Sequence, residues 1–469
     1  MESHGDGLSN FDSSGTDHST TYDVVCIGFG TKGLAFTTVL ADHDPSQRVL
    51  VVERDSRFNN DLGFAAEDGS AGSTFLRDLI TLRNPRSEFT FVNFLHETNL
   101  LVAFTNASQL TTSRRLTARY MAWVAQKIEQ LGWVSFNKEA VNIKPTSIAA
   151  NGQVTRWTID LRASGTGAAS KVSCKRLIVA TGAQSRLPRS LASPKLSSNV
   201  LPLSKSAELL KRIHNADRAL SIAIIGADQE AVELFEHLIS APGQHRATMI
   251  LAGSALRVED CTPFTQEMID GANNTSLHHL PPEVRQRMLA TSVAAEFPTV
   301  DLHTLEALYV LLYTQHIQQH DKTQHRFHLK PHTRISGAQL QDAKVQLTAS
   351  DVRSHAETQL PDLYDFVIAT TEREALPGKP LLAPLSRMFD SGNGSWTVDS
   401  GYKVNFRRNV LAPGCGLWVM GTLTDPKVRR DNFSVLSASA GRALESMLEV
   451  AQVGETEESA SKYGQLAML

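Results

Sequence analysis

The feature that most constrains the fold of this chain is a glycine-rich turn between two apolar strands near its start. A short apolar run, YDVVCIGF, is typical of a buried strand and leads into GFGTKG at 28–33. A helical stretch follows, and a second apolar run, RVLVVER, places Glu53 about 20 residues after the glycines, as the motif requires. This order of strand, turn, helix, strand and acid predicts a βαβ unit that binds a dinucleotide.

Each glycine of this turn has a physical task. Gly28 permits the tight turn, Gly30 lets the backbone approach a pyrophosphate, and Gly33 allows close packing of the helix. The N-terminus of the helix then faces the phosphates, and Glu53 accepts a hydrogen bond from a ribose hydroxyl. The position of the motif at the start of the chain, with a second nucleotide-type unit downstream, favours FAD over NAD.

That second unit starts at SIAIIGADQEAVELFEHLI, residues 221–239, after an apolar strand RLIVATGA at 176–183. The strands DFVIATTE at 365–372 and GLWVMG at 416–421 are expected to return to the first unit. The chain is therefore predicted to be an α/β protein with two dinucleotide-binding, Rossmann-like domains. An NADPH-type domain is inserted into the FAD-binding domain. The expected divisions are a disordered tail at 1–20, a FAD-binding domain at 21–215 and 361–452, an NADPH-type domain at 216–360, and a flexible tail at 453–469.

Composition narrows the class of partner. A net charge of −3 over 469 residues gives no electrostatic reason to expect nucleic acid, so a small molecule is the expected partner. The four cysteines lie far apart without a C-x-x-C pair, which argues against a structural metal or a redox dithiol and fits a reducing, cytoplasmic location. No apolar run reaches the roughly 18 residues that span a bilayer, and no secretion signal opens the chain, so no membrane association is expected.

A long segment carries a family resemblance. FLRDLITLRNPRSEFTFVNFLHETNLLVAF, residues 75–104, resembles a signature of the lysine/ornithine N-hydroxylases, flavin-dependent monooxygenases of siderophore pathways. The segments SALR, TPFTQE and SVLSASAGR are also similar to that family, and the resemblance runs from about 22 to 450. It implies that NADPH reduces FAD, that molecular oxygen forms a flavin C4a-hydroperoxide, and that this species oxygenates a small-molecule substrate. It also implies a homo-oligomer.

The resemblance places several residues at the flavin, and three of them depart from the family. Asn60 and Asp61 stand where the family has a Trp-His pair beside the flavin, and Gly72 replaces a flavin-contacting glutamine. The resemblance also implies cofactor contacts for the three residues that open the last helix, namely Asp431, Asn432 and Phe433. We interpret these departures as a remodelled flavin pocket, in which no catalytic residue can be named.

The substrate pocket is also altered relative to the family. The lysine that binds the substrate carboxylate aligns with Arg77, the substrate-binding asparagine with Gln266, and a substrate-contacting serine with Ser434. Arg77 keeps the positive charge of the lysine, and Gln266 keeps the polarity of the asparagine, but both side chains are longer than those that they replace. This favours a substrate other than ornithine or lysine. Without the resemblance, Arg77 could equally be a surface arginine.

The second nucleotide site lacks features that the family has. The turn reads GADQEA, and its candidate cofactor-binding residues are Ala227, Asp228, Gln229 and Glu230. Asp228 stands where a second glycine is expected. A carboxylate and a Cβ at that position disfavour a phosphate. The family arginine that holds NADPH aligns with Ala252, and an Ala-Thr-Gly-Tyr turn reads ATTE at 369–372. Either the site still binds NADPH by other contacts, or reduced flavin is supplied differently.

The sequence therefore predicts a FAD-dependent monooxygenase, using NADPH, that hydroxylates or epoxidises a specialised metabolite. One alternative is an ornithine- or lysine-type amine N-hydroxylase. A second, from another class, is a flavin-bound protein or isomerase without NADPH turnover. The histidines at 316, 320, 325 and 328 are interpreted as a solvated face rather than a metal site, and Cys26 as a core residue rather than a nucleophile.

Overall fold

The computed structural model describes residues 20–59, 70–107, 111–148, 151–182, 185–241, 243–260, 262–264, 267, 284, 298–373, 379–391, 396–421 and 433–466. Five residues to which the sequence analysis gives roles in the site lie outside these ranges, namely Asn60, Asp61, Gln266, Asp431 and Asn432.

The described β-strands, numbered along the chain, are β1 (Thr20–Ile27), β2 (Val49–Val52), β3 (Ser70–Thr74), β4 (Thr111–Ser113), β5 (Val134–Ser135), β6 (Lys138–Ile148), β7 (Val154–Ala163), β8 (Ala169–Val179), β9 (Ser185–Arg186), β10 (Val200–Pro202), β11 (Ser221–Ile225), β12 (Arg246–Ile250), β13 (Phe327–Lys330), β14 (Thr333–Gln341), β15 (Lys344–Asp351), β16 (Glu357–Tyr364), β17 (Phe366–Ala369), β18 (Glu372–Arg373) and β19 (Gly416–Val419).

The described α-helices are α1 (Thr31–His43), α2 (Phe91–Glu97), α3 (Leu101–Asn106), α4 (Arg114–Gln130), α5 (Ser206–His214), α6 (Gln229–Ser240), α7 (Leu302–Gln318), α8 (Lys379–Leu382) and α9 (Phe433–Leu466). Within the described ranges, no helix has the length and apolar character needed to cross a membrane.

The first sheet has the strand order β5-β2-β1-β8-β7-β6, and β19 pairs with the end of β8. Strands β1, β2, β5, β8 and β19 are parallel, whereas β6 and β7 form an antiparallel extension. The inner half of β1, VVCI, is buried on both faces, as expected for a parallel strand covered by helices. Helices α1 and α9 pack on one face, where Leu34, Leu40, Leu444 and Met447 share a core.

The second sheet is fully parallel, with the order β10-β17-β11-β12-β13. The strand at 366–369 was expected to return to the first domain, and this expectation is wrong: β17 lies between β10 and β11. The run FVIA is almost fully buried, and a site between two parallel neighbours satisfies both of its backbone edges. Strands β14, β15 and β16 form a separate antiparallel sheet.

Two short segments connect the sheets. β9 follows β8, β18 follows β17, and the two pair antiparallel, with Arg186 opposite Glu372. The chain thus crosses between the sheets on a two-stranded ribbon. Helix α9 continues to Leu466 and so extends into the range 453–469, which the sequence predicts to be a flexible tail.

Candidate functional site

The glycine-rich turn of the first sheet has the geometry that its sequence predicts. The Gly28 N–H donates to the Val52 carbonyl oxygen (2.8 Å), and Gly28 has φ +101°, a left-handed conformation that favours glycine. A Cβ on Gly28 would lie 2.8 Å from the Ala180 carbonyl oxygen, and a Cβ on Gly33 would collide with the Gly28 carbonyl oxygen. Both glycines are therefore required by close backbone packing.

Gly30 differs from Gly28 and Gly33 because it faces open space. It caps the N-terminus of α1 with φ −77° and ψ −169°, which any residue can adopt, and a Cβ there would meet nothing within 4 Å. In the part of the chain that the structure describes, no side chain caps α1, so its first N–H groups can bind a ligand. An uncapped helix N-terminus behind a glycine fits a pyrophosphate, and this edge of the sheet would hold that group of FAD.

Glu53 fixes the same turn. Its Oε2 accepts a hydrogen bond from the Phe29 N–H (2.7 Å), and its Oε1 accepts one from the Asp55 N–H (3.0 Å). An ionised carboxylate has about four acceptor positions, so contact with a ribose hydroxyl is compatible with both bonds. The side chain is only partly buried and lies at the end of β2, where the dinucleotide motif requires it.

Two further side chains flank this turn. Cys26 is fully buried, and burial, aided by the nearby Glu53 charge, raises the pKa of its thiol to about 12, so the core interpretation fits. Lys32, within the glycine motif itself, reaches Gly421, where a Cβ would collide with its ammonium group. Lys32 is not among the site residues expected from the sequence. A cation in the first turn of a helix is unfavourable on its own, and this unfavourable position was the feature of the sequence that could have indicated a role for Lys32.

Arg77 and Phe433 line one narrow cavity, although they are far apart in the sequence. The same cavity is bordered by Phe75, Phe91 and Tyr120. Arg77 is half-buried, which disfavours the surface interpretation. Of the other residues assigned to this region, Gly72 lies in β3, and Ser434 lies in α9 with its side chain outside the described part.

Asp78 explains how the segment at 75–104 is held in place. Its buried carboxylate accepts hydrogen bonds from the N–H groups of Ile80 (2.9 Å), Thr81 (2.6 Å) and Phe91 (2.6 Å). Burial raises the pKa of this carboxyl group, although these hydrogen bonds oppose the shift. Tyr120 donates to the Phe89 carbonyl oxygen (2.8 Å). Asp78 is thus a structural residue that positions the loop next to Arg77.

The second nucleotide turn is built differently at the position equivalent to Gly30. Asp228 caps α6 with φ −81° and ψ 168°, close to the angles of Gly30, and its Oδ1 accepts from the Ala231 N–H (3.0 Å). The backbone is therefore unstrained, but a carboxylate occupies the helix N-terminus that a phosphate would use. Gly226, with φ +139°, packs against Thr370.

The side chain of the neighbouring Gln229 forms hydrogen bonds within the protein. It is buried, its Nε2 donates to Glu233 Oε1 (2.7 Å), Thr304 Oγ1 (3.0 Å) and Asp301 Oδ2, and its Oε1 accepts from the Asp301 N–H (2.8 Å). The amide therefore joins α6 to the start of α7 instead of facing a nucleotide. Ala227 and Glu230 on either side are half-buried.

A buried ion pair joins the two nucleotide folds. Arg114, the first residue of α4, donates from Nη1 to Glu233 Oε2 at 2.6 Å, and the two side chains are 4% and 6% exposed. Because Glu233 also accepts from Gln229, the pair belongs to a network that extends to α7. This contact could not be predicted from the sequence, since residues 119 positions apart share no local pattern.

The histidines of α7 and the following loop lie near one another. The His316 and His325 rings are 5.7 Å apart, and the His325 and His328 rings are 6.2 Å apart. His325 Nε2 is 2.7 Å from the Gln319 carbonyl oxygen. Over the described ranges, no group of three or more His, Cys, Asp or Glu side chains is arranged to hold a metal ion.

Asp228 gives a prediction about the second site. Changing Asp228→Asn keeps a good helix cap and removes the charge, so we expect NADPH to reduce the flavin at an apparent Kd at least about tenfold lower. Asp228→Gly should give a similar gain and cost only a few tenths of a kcal/mol in helix stability. Stopped-flow measurement of flavin bleaching over a range of NADPH concentrations tests this. Equal Kd values for the Asn variant and the unchanged protein would contradict it.

Known proteins resemble this chain over most of its length. Residues 20–372 match the family model described as L-lysine 6-monooxygenase/L-ornithine 5-monooxygenase. The chain is 27% identical over 435 residues to the L-ornithine N(5)-monooxygenase of Ajellomyces capsulatus, covering 91% of this chain and 90% of that protein. It is 26% identical to the L-ornithine N(5)-monooxygenase of Emericella nidulans, covering 94% and 93%.

Solved structures share the fold. The ornithine hydroxylase of Pseudomonas aeruginosa superposes with a TM-score of 0.78 at 24% identity, over 92% of this chain and all of that one. The ornithine N-hydroxylase of Kutzneria sp. 744, solved with reduced FAD, NADP⁺ and L-ornithine, gives a TM-score of 0.79 at 22% identity, over 92% and 99%. The two-domain α/β fold and the family expected from the sequence are confirmed. The protein belongs to the L-lysine 6-monooxygenase/L-ornithine 5-monooxygenase family and is a flavin-dependent monooxygenase.

Proposed function

We propose that this monooxygenase uses FAD and NADPH to transfer one atom of molecular oxygen to the amine nitrogen of a small substrate that carries a carboxylate. The observation that carries the proposal is the half-buried Arg77 in the same cavity as Phe433. An arginine fork matches a carboxylate in charge and shape. FAD, when bound, would supply the oxygen chemistry, and the protein's task is to place the amine and exclude water.

The residues that would hold FAD form one edge of the first sheet. The uncapped N-terminus of α1 behind Gly30 would bind the pyrophosphate, and Glu53 would bind a ribose hydroxyl. Lys32 would add positive charge at the same edge of the sheet. Its ammonium group is repelled by the N-terminus of α1, and a bound anion would offset this repulsion.

We propose a substrate other than free ornithine or lysine. Arg77 borders this narrow cavity at the position where the resemblance implies a lysine, so the group that would meet the substrate carboxylate differs from that of the family. Hydroxylamine product should be measured with ornithine, lysine and their shorter, longer and acylated analogues. Ornithine or lysine as the best substrate would overturn this part of the proposal and leave N-hydroxylation intact. Oxygenation at carbon would favour hydroxylation or epoxidation instead.

Arg77 gives a direct test of carboxylate binding. Changing Arg77→Gln should raise KM about 10- to 100-fold, the effect of losing one charge-assisted hydrogen bond, while kcat changes less. Arg77→Lys should recover part of the loss because it keeps the charge. The matched control is Arg86→Gln, an exposed arginine in the same segment, which should leave KM unchanged. Equal KM effects at both positions would contradict the assignment.

Asp228 favours a second candidate, a flavin protein without NADPH turnover. Its carboxylate occupies the N-terminus of α6, so reduction of the flavin would then come from another donor. Rapid bleaching of the flavin by NADPH would exclude this candidate, whereas no bleaching at millimolar NADPH would favour it.

We also infer a cytoplasmic protein that forms a homo-oligomer and does not bind nucleic acid or membranes. Cys26, Cys174 and Cys415 are free, buried thiols, which suits a reducing compartment. The net charge of −3 gives no attraction to a polyanion. Localisation of a tagged chain tests the first point.

A further inference from the structure

The partly buried side chain of Lys32 extends away from the helix terminus at which it starts. Lys32 lies in the first turn of α1, yet its ammonium group reaches Gly421, which follows the end of β19. Gly421 has φ +78°, a left-handed conformation that favours glycine, and a Cβ there would collide with the terminal atoms of the lysine. The lack of a side chain at Gly421 therefore leaves the space that the ammonium group occupies.

The strand order shows on which side of the glycine-rich turn this ammonium group lies. In the first sheet, β2 and β8 flank β1, and β19 pairs with the far side of β8. The last residues of these four strands stand side by side in register, namely Val52, Ile27, Val179 and Val419. Neighbouring strands are about 4.8 Å apart, so the end of β19 lies roughly 10 Å from the end of β1. Glu53, after β2, and the Lys32 ammonium group, after β19, are therefore on opposite sides of the turn.

The two sides of the turn would receive different halves of FAD. A dinucleotide bound at such an edge has a ribose at the acid after the second strand and its pyrophosphate at the helix N-terminus. With the adenosine half at Glu53 and the pyrophosphate behind Gly30, the ribityl chain and the flavin ring would extend toward β8 and β19. The Lys32 ammonium group lies on that side of the turn. Its place in the fold therefore fits the flavin half of the cofactor.

Given the FAD binding proposed for this edge of the sheet, we propose that Lys32 binds the flavin half of FAD and that its ammonium group favours the reduced form of the cofactor. A hydride from NADPH carries two electrons and one proton, so its transfer gives the flavin one negative charge. A cation close to the ring attracts this charge. Lys32 therefore raises the reduction potential of the flavin, as charges near a flavin ring do.

Two other roles for Lys32 have different consequences. A lysine that only ties α1 to the turn at Gly421 would stabilise the fold and leave the reduction potential of the flavin unchanged. A lysine that only binds the pyrophosphate would contribute equally to the binding of FAD and of ADP, because both molecules contain that group. Contact with the flavin half contributes to the binding of FAD but not of ADP, and it also shifts the potential.

The first test compares FAD with ADP by isothermal titration calorimetry of the full-length apoprotein. Lys32→Met should bind oxidised FAD about tenfold more weakly, the effect of losing one charge-assisted hydrogen bond, and should bind ADP as tightly as the unchanged protein does. Lys32→Arg should recover part of the loss because it keeps the charge. The matched control is Lys127→Met, since Lys127 is also partly buried but lies near the end of α4, which leads into β5 at the opposite edge of the sheet. Lys127→Met should change neither affinity.

The second test is the reduction potential of the bound flavin, measured against reference dyes during slow enzymatic reduction. Lys32→Met should lose a further factor of about ten in its affinity for reduced FAD, which lowers the potential of this two-electron couple by about 30 mV, and Lys127→Met should not change it. Thermal unfolding of the apoproteins establishes that the variants fold, and Lys32→Gln replaces Lys32→Met if the latter unfolds. An unchanged potential, or an equal loss of affinity for ADP and FAD, would overturn the proposal for Lys32 alone. An unchanged protein that binds no FAD would overturn the proposed function as well.

Discussion

Replacing Arg114 with alanine is expected to lower the free energy of unfolding by about 3–5 kcal/mol, because the change removes the positive charge that compensates a buried carboxylate. Glu233 is 6% exposed in its side chain, and the ion pair with Arg114 spans 2.6 Å. Removal of one charge from a buried pair lowers the free energy of unfolding more than removal of both charges. Urea unfolding, followed by circular dichroism and by flavin absorbance, measures the loss.

The exposed pair between Arg162 and Glu139 provides a matched control. Its atoms are also 2.6 Å apart, but its side chains are 58% and 44% exposed. Arg162→Ala should therefore cost less than about 1 kcal/mol. The double change Arg114→Met with Glu233→Gln should recover most of the stability, since the new amide keeps an acceptor for Gln229 without a charge. A loss below about 1 kcal/mol for Arg114→Ala would show that the pair is not needed between the folds.

The second large effect is expected in the glycine-rich turn at 28–33, where alanine at Gly33 and alanine at Gly30 should have different consequences. A Cβ on Gly33 collides with the Gly28 carbonyl oxygen, so Gly33→Ala should displace α1 and yield protein without bound FAD. A Cβ on Gly30 meets nothing within 4 Å, so Gly30→Ala should fold normally. It should still bind FAD at least about tenfold more weakly, because the methyl group stands where the phosphate approaches.

Fluorescence titration of the apoprotein with FAD and thermal unfolding separate these outcomes. Gly337→Ala in β14 is the control, since its Cβ would make only ordinary contact, 3.6 Å from Thr348, and neither measurement should change. FAD binding by Gly30→Ala at the affinity of the unchanged protein would place the pyrophosphate elsewhere.

Local sequence was sufficient for the first nucleotide site. The role of Gly33 follows from a turn and a helix that are adjacent in the chain, because its close contact is the Gly28 carbonyl oxygen. The close contacts of Gly28 are instead with Ala180 and Thr181, which only the tertiary structure brings next to the turn. The family followed from the segment at 75–104 for the same reason. The motif is readable because its strand, turn, helix and acid follow one another within a few tens of positions.

The sequence alone did not show which strands share a sheet. β17 was expected in the first domain, but it completes the second sheet between β10 and β11. All three strands are apolar and short, and nothing in their composition distinguishes one parallel sheet from another. The choice depends on pairing between segments more than 140 residues apart, which the register of Ile222 with Phe366 shows.

At Asp228, the sequence and the tertiary structure each supply a different part of the explanation. The sequence shows an acid where a glycine is expected, and this is enough to predict a poorer phosphate site. The tertiary structure adds that the backbone there is unstrained and that the carboxylate has a role of its own, as the cap of α6.

The sequence by itself therefore determined the class of fold, the glycine-rich turn at 28–33 and the family, because these rest on local motifs. Only the tertiary structure decided the placement of β17, the Arg114–Glu233 pair and the contact of Lys32 with Gly421. The physical reason is that burial and charge pairing are properties of segments brought together by folding. A lysine such as Lys32 looks the same in sequence whether its ammonium group faces water or a turn that follows a distant strand.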